Sequence, residues 1–188
     1  MLIGHERGQA TRREQPLSGP TLKGAVPLTE DTRTIVEMLA DHESALKDLY
    51  QAYAAKIPLL KDLWLKLAED EQRHSNWLGS LVSKVGAADP PDPRGWPRPA
   101  AVASSLKYIR AQIIRAQQTE VTLLVALSIA RDLESALLEQ ELLKVPHGAS
   151  PEVRAVFGRL VAETKSHRRT IVQALDAAKR GARTAELV

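Results

Sequence analysis

Glu43-Ser44-Ala45-Leu46 and, much later in the chain, Glu134-Ser135-Ala136-Leu137 are one motif written twice. Downstream of the first copy comes Glu71-Gln72-Arg73-His74, and downstream of the second comes Glu163-Thr164-Lys165-Ser166-His167. A chain that twice places a glutamate, and about thirty residues later an acid with an imidazole, reads as two copies of one helical hairpin built around a shared site.

The prolines frame these copies. Pro16, Pro20 and Pro27 lie in a polar leading segment, Pro58 stands alone, Pro90, Pro91, Pro93, Pro97 and Pro99 crowd one linker, and Pro146 and Pro151 flank a last turn. Proline breaks helix interiors, so the proline-free blocks 28–57, 59–89, 100–145 and 152–188 predict four long helices. Each has apolar residues at three- and four-residue spacing: Leu39, Leu46 and Tyr50 in the first, Leu67, Leu78 and Leu81 in the second, Leu106, Leu127 and Leu137 in the third, Phe157, Leu160 and Ile171 in the fourth. No run alternates strictly enough to predict a strand. Ser150-Pro151-Glu152 reads as a helix start, with a capping hydroxyl, proline in the first turn and an acid at the positive dipole end; Thr29-Glu30-Asp31 reads likewise. The first two helices are joined by a short connection, and so are the last two. Between helices two and three, residues 85–100 read as an extended strap that Trp96 pins. Short, long, short is the connectivity of a four-helix bundle with one crossover. The expectation is an all-α bundle over 29–188, preceded by a flexible tail over 1–28.

Composition narrows the chemistry. At 188 residues with 44% hydrophobic residues the chain is long and apolar enough for one domain with a sizeable core. It has no cysteine, which excludes disulfides, thiolate nucleophiles and iron–sulfur clusters and leaves carboxylate, imidazole and backbone oxygen as metal donors. The 26 basic and 23 acidic residues nearly balance, and no basic run is interleaved with aromatics, so no nucleic-acid partner is expected. No apolar stretch is long enough for a membrane span and the N-terminus lacks a signal-peptide core; a cytoplasmic protein with no membrane partner is expected.

The repeat falls on the apolar stripes. Glu43 lies between Leu39 and Leu46, Glu71 and His74 between Leu67 and Leu78, Glu134 between Leu127 and Leu137, and Thr164 and His167 between Leu160 and Ile171, with Glu163 one step aside. Carboxylates on buried faces are costly without a positive partner, and few lysines or arginines share these stripes. A metal ion supplies that charge. Residues three or four apart share a helix face, so Glu71 with His74, and Glu163 or Thr164 with His167, can each offer two donors, and Glu43 and Glu134 complete the set from the other two helices. That is the ligand plan of ferritin-like di-iron or di-manganese bundles. Beside it stand plainer readings: Glu134 paired with Arg131 across one turn, Glu163 as a solvated flank, His42 at the rim, Tyr50, Trp64 and Trp77 as packing residues, and Glu141 as a neighbour supporting the ligands. His5 and His147 belong to no pattern.

Through Glu43-Ser-Ala-Leu leading to Tyr50, through Ala68-Glu69-Asp70-Glu71-Gln72-Arg73-His74, and through Ala130-Arg131-Asp132-Leu133-Glu134-Ser135-Ala136, the chain resembles the rubrerythrin-like branch of the ferritin-like superfamily over roughly 30–178. The resemblance implies a ferritin-like four-helix bundle holding two iron ions on Glu43, Glu71, His74, Glu134, Glu163 and His167, with no catalytic residue beyond these ligands. It implies an oxidoreductase reacting with oxygen or hydrogen peroxide, as a ferroxidase or peroxidase. Manganese or zinc would accept the same donors, and a homo-oligomer is open. The chain departs from the pattern at three places: it has no cysteine-bearing electron-transfer module, Arg131 stands where a further glutamate is expected, and Thr164 stands three residues before His167. The alternative is a bundle with an incomplete or absent metal site that serves as a scaffold or interaction protein.

Overall fold

The structure, a computed structural model, describes residues 30–84, 96–139, 142–145 and 148–185. The described residues form five α-helices: α1 Glu30–Lys56, α2 Lys61–Lys84, α3 Pro99–Gln118, α4 Leu123–Glu139 and α5 Pro151–Ala185. No strand occurs among the described residues. The leading segment and most of the linker between α2 and α3 lie outside them, as do Glu141 and His147.

Contacts between helices set their directions. Tyr53 and Tyr50 of α1 meet Trp64 near the start of α2, while Glu43 meets His74 further along it, so α1 and α2 are antiparallel, joined through Ile57 and a single 3-10 turn at Pro58–Leu60. Asp70 meets His167 and His74 meets Glu163, which sets α5 antiparallel to α2. On α4, Glu134 approaches His167 and Leu137 and Leu138 share a groove with Val161 and Lys165, so α4 descends as α5 rises. Helices α1, α2, α4 and α5 form an up-down-down-up four-helix bundle, which requires a crossover between its second and third members.

That crossover is itself helical. His42 of α1 pairs with Ser105 early in α3, and Tyr53 further along α1 is influenced by Tyr108 and Arg115 later in α3, so α3 runs parallel to α1 on the outside of the bundle. Its 20 residues climb about 30 Å. The proline-free block 100–145 is therefore two helices with different jobs, and α3 takes over much of the rise assigned above to an extended strap at 85–100. Two threonines divide the block. Thr119 turns extended, with φ −131° and ψ 164°, and both its amide and its hydroxyl donate to the Arg115 carbonyl, at 2.9 and 2.8 Å. Thr122 then caps α4: its Oγ1 accepts the Val125 amide at 3.4 Å and its carbonyl accepts the Ala126 amide at 3.0 Å. Threonine side chains that bond local backbone offer the chain an alternative to continuing a helix, and a hydroxyl at the N-cap stabilises the next one.

The boundary signal at Ser150-Pro151-Glu152 holds, while Thr29 lies outside the described residues. Ser150 accepts the Val153 amide at 3.3 Å through its side chain and the Arg154 amide at 3.0 Å through its carbonyl, with Pro151 opening α5 and Glu152 in its first turn. Pro99 opens α3 after extended Arg98, as a residue before proline prefers. The stripe residues Leu39, Leu46, Tyr50, Leu67, Leu78, Leu81, Leu106, Leu127, Leu137, Phe157, Leu160 and Ile171 are buried. Trp96 packs edge-on against Phe157 at 5.8 Å, tying the segment before α3 to the start of α5. Among the described residues no helix is long and apolar enough to cross a membrane.

Candidate metal centre

The repeat brings its residues together. Glu43, Glu71, His74 and Glu134 are buried at 1% exposure or less and His167 at 6%. The centre is Glu71. Its Oε2 lies 2.8 Å from His74 Nδ1 on its own helix, and its Oε1 lies 3.0 Å from His167 Nδ1 on α5. Glu43 Oε2 is 4.0 Å from His74 Nδ1, and Glu134 Oε1 is 3.6 Å from His167 Nδ1. Two triads that share Glu71, namely Glu43 with Glu71 and His74, and Glu71 with Glu134 and His167, each hold their donor atoms within 4.8 Å of one another. A third group at the same spacing joins His74, Glu163 and His167.

The far nitrogens of both rings are anchored crosswise. His167 Nε2 faces Asp70 Oδ2 of α2 at 3.3 Å, and His74 Nε2 faces Glu163 Oε2 of α5 at 3.0 Å. Each histidine thus donates Nε2–H to a carboxylate on the other's helix, which turns Nδ1 inward. Arg73 fastens both carboxylates, at 2.5 Å to Asp70 and 3.0 Å to Glu163, and Lys66 adds 2.7 Å to Asp70. A carboxylate behind a histidine fixes the tautomer and ring orientation needed for metal binding. Sequence reading passed over Asp70, yet the signal was there: aligned on their histidines, Asp70-Glu71-Gln72-Arg73-His74 and Glu163-Thr164-Lys165-Ser166-His167 pair Asp70 with Glu163 and Glu71 with Thr164. Glu163, a third exposed, accordingly sits as Asp70's counterpart, and Thr164 is buried where a second central carboxylate would stand.

Electrostatics describe a site that holds protons in place of a cation. Burial pulls His167 down, but Glu134 and Glu71 outweigh it and push its pKa up to about 11. Burial likewise opposes the charge on His74, and its bonds to Glu71 and Glu163 raise it. Burial first, and then repulsion from Glu71, drive Glu43 well above the usual carboxylate range; burial also raises Glu134. Glu71 is held low, its own burial overcome by the two imidazoles. Several polar atoms stay unsatisfied: both oxygens of Glu43, Oε1 of Glu71, Oε2 of Glu134 and Nδ1 of His167 have no hydrogen-bond partner. Glu71 Oε1 and His167 Nδ1 lie 3.0 Å apart without aligning for a hydrogen bond. Orphaned buried acceptors converging from four helices fit a divalent cation site, and carboxylate oxygen with imidazole nitrogen suits iron, manganese or zinc.

The remaining candidates separate cleanly. Arg131 pairs with Asp132 at 2.7 Å and leaves Glu134 to Tyr50, whose hydroxyl donates to Glu134 Oε1 at 2.7 Å. His42 is fully buried, not at the rim, because α3 covers it; its Nε2 lies 2.8 Å from Ser105 Oγ and burial lowers its pKa to about 4. Trp77 is half-buried, 5.5 Å from the His74 ring and overlain by Arg159 and Arg73 at 5.3 and 6.0 Å.

An all-α bundle with clustered histidine and glutamate sites is consistent with the ferritin-like superfamily broadly, and nothing in it selects the rubrerythrin branch. Comparison with protein-family models, with curated proteins and with solved structures finds no match to this chain.

Proposed function

We propose that this bundle is a di-metal carboxylate oxidoreductase, with iron as its metal and oxygen or hydrogen peroxide as its oxidant. The observation that carries the reading is Glu71, whose two oxygens face the inward nitrogens of two histidines on different helices, at 2.8 and 3.0 Å. In this reading Glu43, Glu71 and His74 would hold one ion, and Glu71, Glu134 and His167 would hold the other. Glu163 braces His74 and can add a ligand beside His167 on releasing it. The bound pair would supply electrons to the oxidant and open coordination positions to bind it. The chain does the rest. Asp70 and Glu163 hold the two imidazoles with Nδ1 inward, Tyr50 fixes the Glu134 carboxylate, and the apolar layers of Leu39, Leu46, Leu78, Leu127 and Ile171 keep bulk water from the pair. Iron and peroxide chemistry rest on the rubrerythrin-like motifs.

Anaerobic ferrous titration followed by exposure to oxygen or peroxide tests this. Two ions per chain that oxidise on exposure support it. A second reading has one observation in its favour: Thr164 leaves the centre with one bridging carboxylate where two could stand. In that reading the bundle holds one ion or none and acts as a scaffold, and a titration ending at one ion or below, with no oxidation, selects it.

A further inference from the structure

Glu43, Glu71 and Glu134 are sealed at 1% exposure or less, so an ion bound for them must first be met by a donor in contact with solvent. The seam between α2 and α5 supplies one. The Glu163 side chain is 33% exposed, yet its Oε2 lies 3.0 Å from His74 Nε2. His74 carries that contact straight to the centre, because its Nδ1 lies 2.8 Å from Glu71 Oε2. The His167 ring stacks beside it, with centroids 5.4 Å apart and planes inclined by 25°. Glu163, His74 and His167 each offer a ligand atom within 4.8 Å of the others', a grouping that leaves out all three buried glutamates. A cation already sits at this place. Arg73, 44% exposed, spans the seam from Asp70 at 2.5 Å to Glu163 at 3.0 Å, and it bonds the same Glu163 oxygen that faces His74.

We propose that His74, Glu163 and His167 form an outer site for a divalent cation, and that Arg73 is the plug displaced there as an ion enters toward the inner triads. The proposal rests on the di-metal reading above, for which it supplies the point of entry. Each residue has a part. Glu163 meets the ion at the surface as a carboxylate. Arg73 releases Glu163 while Asp70 and Trp77 retain it; the Trp77 ring centroid is 6.0 Å from the guanidinium carbon, a distance at which the ring face attracts a cation. An imidazole nitrogen gives its proton to water as it becomes a donor. The outer grouping has one carboxylate where each inner triad has two, and Arg73 competes for it. It therefore passes ions inward and does not store them.

Cobalt(II), followed by its visible absorption, tests entry in two arms. In the first, binding and release rates are measured on the full chain and on two single variants. Arg73→Gln should raise the binding rate about tenfold, the scale of one charge-assisted hydrogen bond, and Glu163→Gln should lower it about tenfold by removing the charge that meets the ion. A brace acting only through His74 would change the release rate and leave the binding rate alone. A binding rate unmoved in either variant overturns the proposal. The second arm does without the inner triads. Glu71→Gln removes the carboxylate they share, so the folded Glu71→Gln/Arg73→Gln protein should hold one cobalt ion per chain, lost on adding Glu163→Gln. No ion in the double variant, or an ion that survives Glu163→Gln, overturns the outer site; should the double variant fail to fold, the first arm decides. If the unaltered chain binds no ion and the double variant binds one, the di-metal reading fails and the outer site stands.

Discussion

Asp70 on α2 holds the far nitrogen of His167 on α5 at 3.3 Å, and Glu163 on α5 holds that of His74 on α2 at 3.0 Å. Each half of the centre is thus oriented by the other half's helix, and Arg73, bonded to both carboxylates, couples the two. Movement between α2 and α5 would turn both imidazoles at once.

Asp70→Asn should therefore weaken metal affinity about 10- to 100-fold, the usual effect of losing a carboxylate behind a ligating histidine, while leaving the number of ions at saturation unchanged. Glu163→Gln should do the same through His74. Equilibrium titration with ferrous or manganous ion reads both, and a clean loss of one ion in Glu163→Gln would show that Glu163 is a ligand and not a brace.

Thr164→Glu restores the position that the repeat leaves without an acid. In metal-free protein a further buried carboxylate should lower stability by several kcal/mol, seen as a lower midpoint in urea. With metal present the order should reverse, because the new carboxylate lies three residues before His167 on the buried face and can bridge opposite Glu71. A variant equally destabilised with and without metal would place Thr164 away from the ions.

The raised pKa of His167 carries a signed consequence. Its folded-state value near 11 stands above the ordinary 6.5, so its stabilising contribution to the metal-free fold is complete below about pH 6.5 and is lost as pH rises toward 11. Metal displaces those protons, so affinity should climb by about tenfold per pH unit for each proton released. Melting curves between neutral and alkaline pH, with and without zinc, should diverge as pH rises.

Fold class and connectivity were legible because proline, capping serine and apolar spacing act locally. Ser150-Pro151-Glu152 carries a helix-start signal within three consecutive residues. The division of α3 from α4 was harder to read, since threonine ends a helix only when its hydroxyl finds a local carbonyl or amide, as at Thr119 and Thr122. Missing that break hid the helical crossover, and with it the burial of His42. At the centre, Glu43, Glu71, His74, Glu134 and His167 could be found from their place on apolar stripes. The crosswise anchoring could not be read from stripes, because Asp70 and Glu163 sit beside them and matter only through the packing of α2 against α5.

The division of the third block is testable in its own right. Thr122→Ala removes the side-chain cap on the Val125 amide and should cost about 1 kcal/mol, whereas in a continuous helix alanine would stabilise. Chemical denaturation gives the sign directly.

The central claim, that the buried glutamates and histidines exist to hold two metal ions, is tested most directly by anaerobic ferrous titration of protein stripped of metal, with melting temperature recorded at each point. The account predicts saturation at two ions per chain and a stabilisation of about 2.7 kcal/mol when free ion reaches 100 times its dissociation constant, with the gain lost in Glu71→Ala. Saturation at zero ions, with no change in melting temperature for ferrous, manganous or zinc ion, would contradict it.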